Sequence, residues 1–366
     1  MHSDLILVIV VGTALAFDFT NGFHDTANAV ATSISTRALS PRVAVAMSAI
    51  LNFVGAFLSL AVAATIATGI VNADLITPEI VFAGLIGAIF WNLLTWYFGL
   101  PSSSSHALIG GVVGATLAAN GTKGVQGDGL VEKVIVPALI APVLAFVVAG
   151  LGILICYRIV GRRPPGTVNR SFRHGQIITG SLFSLAHGTN DAQKTMGIIF
   201  LALVANGNLS AGDSVPTWVV LSAATAIAAG TYVGGWRIIR TVGSRIIKMD
   251  PAQGFATQAA GSVVILSASH VGFPLSTTHV INGAIMGAGA AKRVSAVRWG
   301  VAGNIVLAWV LTLPAAAAVG ALTYGVTRIF GNGATGPVVV SAVLTLLLVY
   351  ALSRRLLTNR AVAARA

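Results

Sequence analysis

The chain has 366 residues, of which 55% are hydrophobic and 9% charged, with a formal net charge of +12. That balance excludes an ordinary soluble domain, and with it the nucleic-acid partner that a basic charge alone would suggest. The single Cys156 excludes an internal disulfide and any cysteine metal cluster.

Met1-His2-Ser3-Asp4 lacks a basic leader and no small-residue cleavage site follows, so residues 5 onward are expected to be a retained span. Apolar stretches lie near 5–35, 43–70, 79–99, 101–119 and 134–157. A second series lies near 176–204, 216–236, 254–271, 274–291 and 299–327, and a last stretch near 337–353. Each is of the order of the roughly 20 residues that cross a bilayer. The fold expected is therefore all-α: a polytopic membrane protein of about 11 helical elements in a lipid bilayer.

The gaps between stretches differ in charge. Arg37 and Arg42 flank one, and Arg158, Arg162, Arg163, Arg170 and Arg173 fill the central one. Arg237, Arg240, Arg245 and Lys248 occupy a third, Lys292, Arg293 and Arg298 a fourth, and Arg354, Arg355, Arg360 and Arg365 the tail. The other gaps hold Asp74, Glu79, Asp128, Glu132 and Asp213, with only Lys123, Lys133 and Arg328 as bases. The positive-inside rule then predicts an external N-terminus, cytoplasmic basic gaps and a cytoplasmic C-terminus. Five elements per half make two oppositely oriented repeats. The predicted division is 1–157, a basic cytoplasmic linker at 158–173, a second repeat at 174–328, and an added helix with a basic tail at 329–366.

One polar block occurs twice inside apolar sequence. Gly22-Phe23-His24-Asp25-Thr26-Ala27-Asn28 is matched by Gly188-Thr189-Asn190-Asp191-Ala192-Gln193-Lys194. Pro101-Ser102-Ser103-Ser104-Ser105-His106 is matched by Pro274-Leu275-Ser276-Thr277-Thr278-His279. Ionisable groups at membrane depth are costly and are kept for a task. A proline breaks the preceding helix and suits the first turn of the next. Each Ser/Thr run therefore opens a new helix, where free N–H groups, the dipole and hydroxyls form an anion site. Sequence alone leaves open whether these segments cross fully or re-enter. The Gly110/Gly114 and Gly283/Gly287 pairs read as helix packing, and Asn52, Asn92, Asn282 and Asn304 as interhelical glue.

Ser103, Ser104, Ser105, Ser276, Thr277 and Thr278, with Asn28 and Asn190, are the predicted donors to a tetrahedral oxyanion, and Lys194 either contacts that anion or pairs with Asp191. Asp25 and Asp191 would repel it unless cations intervene. Their presence points to cation-coupled symport, with Thr26 and Thr189 as further oxygens and the ion a proton or sodium. The metal is otherwise unknown, sodium being the candidate at Asp25 and Asp191, and no separate cofactor is implied. His24, His106, His187 and His279 are candidate proton carriers. Asp18, near the boundary of the first element, has a solvated reading beside a functional one. An intramembrane serine hydrolase, with Ser103, His106 and Asp25 as its groups, is the alternative of another class. It lacks a Gly-x-Ser-x-Gly elbow and leaves the second copy unexplained.

These four blocks resemble the paired signatures of the inorganic phosphate transporter (Pit) family, over nearly the whole chain. The resemblance implies an importer of inorganic phosphate driven by a sodium or proton gradient, built from inverted repeats and working as a homodimer. Carried over by position, Asp25, Asn28, Asp191, residues 103–105 and residues 276–278 form the site. Gly22-Phe23-His24-Asp25 departs from the Gly-Ala-Asn-Asp of many members. It resembles bacterial members associated with proton coupling and with metal–phosphate complexes. Together with the absence of a long central loop, this implies a bacterial cytoplasmic membrane. Arsenate or sulfate transport remains the alternative within the class.

Overall fold

The computed structural model describes residues 2–363. Among them the backbone is helical, apart from connecting turns and one isolated antiparallel bridge between Val71 and Val125. The first run comprises α1 (His2–Ser35), α2 (Pro41–Gly55), α3 (Ala61–Thr68), α4 (Pro78–Phe98), α5 (Ser104–Asn120), the one-turn α6 (Gly127–Leu130) and α7 (Val136–Val160). The second comprises α8 (Pro165–Ala205), α9 (Thr217–Val233), α10 (Trp236–Arg240), α11 (Pro251–His270), α12 (Thr277–Lys292) and α13 (Trp299–Ile329), followed by α14 (Thr335–Ala363). The stretch expected at 43–70 divides into α2 and α3, and most of the expected linker forms the first turns of α8. Arg365 lies outside the described residues, as do the side chains of Arg354, Arg355 and Arg360.

Local sequence sets the helix ends. Proline occupies the first turn of α2, α4, α8 and α11, where its missing N–H costs nothing. Asp250 and Gln253 close a reciprocal capping box on α11. Gly99, at φ +67°, ends α4 in a left-handed conformation that a side chain would strain. Pro101 and Pro274 lie ahead of the first helical turn rather than in it. Ser103 and Ser276 take the cap position, and their hydroxyls accept from the backbone N–H of His106 and His279 at 3.1 and 3.2 Å.

Asp4–Ser35, Pro78–Phe98, Gly127–Val160 and Trp299–Ile329 are long and apolar enough to cross a membrane. The pair Thr217–Val233 and Trp236–Arg245, bent by 59°, meets the same test only when the two helices are taken together. The chain is a multi-pass membrane protein. Helix α8 has the length but carries the second polar block, whereas α5 and α12, at 17 and 16 residues, are short.

Those short helices belong to hairpins. Helices α4 and α5 pack together, and their far ends rejoin where Asn120 Nδ2 donates to Leu75 O at 2.6 Å. Helices α11 and α12 do the same, with Gln253 Nε2 donating to Ala288 O at 3.0 Å. The two tips meet, Ser105 Oγ donating to Leu275 O at 3.3 Å. In each half the Pro-Ser block is thus the turn of a helical hairpin.

Packing exchanges elements between the runs. Helix α5 lies on α13 and α12 on α7; α1 lies on α9 and α2 on α8. Glycines allow the close approach. A Cβ at Gly110 or Gly114 would strike the Leu313 or Ala317 carbonyl, and one at Gly283 or Gly287 those of Pro142 or Phe146.

The apolar core divides in two. One cluster includes Val10, Ala14 and Phe17 of α1 with Met196 and Ile199 of α8; the other includes Ala27 and Ala31 with Phe183 and Ala186. Following these residues along the chain, α1 and α8 run in opposite directions. The two polar blocks fall between the clusters.

Candidate functional site

Helices α1 and α8 each bring one polar stripe to the junction of the cores. On α1 the stripe is Asp18, Asn21, Asp25 and Asn28; on α8 it is His187, Asp191 and Lys194. Spacings of three and four keep each set on one helix face. All seven residues are at most 2% exposed. Ligand atoms of Asp25, His187 and Asp191 lie within 4.8 Å of one another, so the duplicated carboxylates share one site.

Each carboxylate is held differently. Asp25 Oδ1 lies 2.6 Å from His24 Nδ1 and accepts from Ser104 Oγ at 3.2 Å. His24 Nε2 lies 3.0 Å from Thr95 Oγ1 and 3.4 Å from Ser102 Oγ. Asp191 accepts from the Lys194 ammonium and, at 3.2 Å, from Thr277 Oγ1. Lys194 also donates to Leu275 O at 2.8 Å, tying its charge to the second hairpin tip. His187 Nε2 lies 3.1 Å from Asp191 Oδ2. Its Nδ1 faces Asn52 Oδ1 at 3.2 Å, and Asn52 Nδ2 donates to Thr231 Oγ1 at 2.8 Å.

The hairpin tips supply the other wall. Asn28 Nδ2 donates to Thr278 Oγ1 at 2.9 Å and to Thr277 Oγ1 at 3.4 Å. Ser104, Ser105, Thr277 and Thr278 open α5 and α12, all at most 3% exposed. First-turn N–H groups of a helix have no intrahelical partner. Two such ends meeting beside carboxylates, an ammonium and imidazoles can hold an anion together with cations, closed off from bulk water.

Several predicted residues point elsewhere. Thr26 Oγ1 donates to Gly22 O at 2.6 Å and to Thr231 O at 3.2 Å; Thr189 Oγ1 donates to Leu185 O at 2.8 Å and to Gly55 O at 2.9 Å. Each is one residue or two from a site carboxylate, but successive residues diverge by about 100° around a helix. Both hydroxyls therefore bond backbone carbonyls at helix contacts. Asn190 Nδ2 donates to Ser269 Oγ at 2.8 Å and braces the bend between α11 and α12 instead of facing an anion. Ser103 and Ser276 act as helix caps.

His106 and His279 meet each other, with ring centroids 4.7 Å apart, and His279 stacks on Trp309 at 4.1 Å. They line an apolar groove between α7 and α13, not the carboxylate cluster. The hydrolase constellation is absent from the described residues: Ser103 bonds a backbone N–H, and the ring beside Asp25 belongs to His24. Asp18 is wholly buried, not solvated. His187, Ser102 and Thr95 join the network beyond the predicted donor set. For His187 the signal was in the sequence, one turn before Asp191 on the same face.

Discontinuous helices that present their N-terminal ends to a buried ionic cluster define a membrane transport protein. The model of the phosphate transporter family matches residues 21–320, and the chain belongs to that family. It is 58% identical over 328 residues to a "Probable low-affinity inorganic phosphate transporter" of Mycobacterium bovis, covering 89% of this chain and 79% of the relative. A protein of the same description from Rhizobium meliloti is 51% identical, with 87% and 96% covered. Among solved structures, one titled "The sodium-dependent phosphate transporter" superposes with a TM-score of 0.79 at 25% identity, covering 88% of this chain and 99% of that one.

Proposed function

We propose that the chain imports inorganic phosphate across the bacterial cytoplasmic membrane by cation-coupled symport. The observation that carries this reading is the convergence of Asp25, His187 and Asp191 within 4.8 Å, beside the starts of α5 and α12. Phosphate binds the N–H groups and hydroxyls of Ser104, Ser105, Thr277 and Thr278, with the Asn28 amide and the Lys194 ammonium. Lys194 neutralises Asp191. Asp25 and the phosphate charge remain, and one or more protons or sodium ions between the carboxylates balance them. Removing that cation restores repulsion between carboxylate and phosphate, so the two leave together.

Transport alternates access by moving the paired hairpins relative to the flanking long helices. The antiparallel run of α1 and α8 supports two inverted repeats, and the basic gaps support an external N-terminus with a cytoplasmic C-terminus. The family resemblance supports a homodimer. The Gly22-Phe23-His24-Asp25 variant, which resembles bacterial members associated with metal–phosphate complexes, supports carriage of phosphate together with a divalent cation.

Proteoliposomes containing the protein decide the matter. An imposed sodium or pH gradient is expected to accumulate labelled phosphate above equilibrium in wild type and not in Asp191→Asn. Equilibration without accumulation refutes symport. No phosphate flux under either gradient, with or without divalent cation, refutes phosphate as substrate. Impermeant maleimide labelling of cysteines placed at Asp213 and Arg162, in a Cys156→Ser background, tests the orientation. Labelling at Arg162 from outside refutes it.

A further inference from the structure

Asp18 is a carboxylate for which the phosphate site has no use. It lies seven residues before Asp25 on the same face of α1, about 10 Å toward the N-terminal end at 1.5 Å per residue. It is wholly buried, and neither of its oxygens makes a well-aligned hydrogen bond among the described residues. The Thr195 hydroxyl and the Asn21 amide are its polar neighbours, within hydrogen-bonding reach. Asn21 Oδ1 and Thr195 Oγ1 are themselves buried and unpartnered among the described residues. Two helices thus bring a buried carboxylate, an amide and a hydroxyl to one place.

Nearby charge does not account for this. The formal charges acting on Asp18 are Asp191, which repels a carboxylate, and Lys194. The Lys194 ammonium is already committed to Asp191 and to Leu275 O. A buried carboxylate with no counter-charge of its own is costly to keep ionised. Carboxylate, amide oxygen and hydroxyl are all acceptors that suit a hard cation.

We propose that Asp18, Asn21 and Thr195 form a second monovalent-cation site, holding a proton or a sodium ion, two turns outward along α1 from the phosphate site. Its place in transport rests on the cation-coupled reading above. There it adds one cation to those carried at Asp25 and Asp191. Its occupancy does not depend on phosphate.

Infrared difference spectroscopy on the full-length protein without phosphate tests occupancy, with Asp18→Asn assigning the band. A sodium site gives a protonated-carboxyl band in sodium-free buffer that added sodium abolishes. A proton site gives a band that persists in sodium and disappears only on alkalinisation. Should Asp18→Asn fail to fold, Asp18→Glu assigns the band by shifting it. No Asp18 carboxyl band at any pH where the protein is folded, and no response to sodium, overturns the proposal.

Reversal potentials in proteoliposomes then test the transport role. Asp18→Asn is expected to carry one fewer cation per phosphate, a change that a packing defect would not cause. Unchanged stoichiometry and unchanged cation dependence in the folded variant overturn that role. Absence of phosphate flux in wild type would instead refute the phosphate reading and leave the spectroscopic result standing.

Discussion

Replacing Lys194 by asparagine gives the second half the residue that the first half carries at the aligned position, Asn28. The ammonium is 1% exposed and bonds Asp191 and Leu275 O. Two unit charges about 4 Å apart interact by about 4 kcal/mol at an effective dielectric of 20. Breaking a buried pair by removing one partner costs about 3–5 kcal/mol in measured cases. Both routes give the same range, because the cost is that of a carboxylate left buried without its counter-charge.

The assay is a double-mutant cycle over Lys194→Asn, Asp191→Asn and the double variant, read by thermal or denaturant unfolding in detergent. The double variant is expected to be more stable than the sum of the single losses by about 3 kcal/mol. In proteoliposomes, Lys194→Asn is expected to raise the KM for phosphate and to make it depend more steeply on cation concentration. A bound cation must then replace the lost charge. Additive stabilities, or a KM equal to wild type at every cation concentration, would refute the reasoning.

Gly114→Ala and Gly287→Ala drive a methyl group into the backbone of α13 and α7, so each should cost about 1–3 kcal/mol in unfolding measurements. Ser103→Ala and Ser276→Ala remove helix caps and should lower stability by about 1 kcal/mol each. Ser104→Ala should reduce phosphate affinity several-fold without abolishing uptake, since other donors remain; complete loss in a folded variant would contradict a multi-donor site. Thr26→Val and Thr189→Val should leave the cation dependence of uptake unchanged, because both hydroxyls bond backbone carbonyls. A changed cation affinity in either would restore them as ligands.

Much of the architecture was legible because membrane and backbone physics act locally. An apolar segment long enough to span, a proline that breaks a helix, and a serine three residues before the amide it caps are written in consecutive residues. So was the duplication of the Asp25 and Asp191 blocks, from which a shared site followed. The Gly114 and Gly287 contacts also matched expectation, as packing against a neighbouring helix.

Direction around the helix axis was not legible without the neighbours. Asp25 and Thr26 are adjacent in the chain, but only Asp25 faces α8; Thr26 turns to α9. The hairpin form of α4–α5 and α11–α12 escaped charge counting, since crossing and re-entry leave the ends on the same side. Tertiary packing alone decided that His106 meets His279 rather than a carboxylate and that Asp18 is sealed from water. Composition, helix breaks and repeated chemistry are properties of consecutive residues, and the sequence by itself determined those. Which buried groups share a site depends on how separate helices pack face to face, and only the tertiary structure decided that.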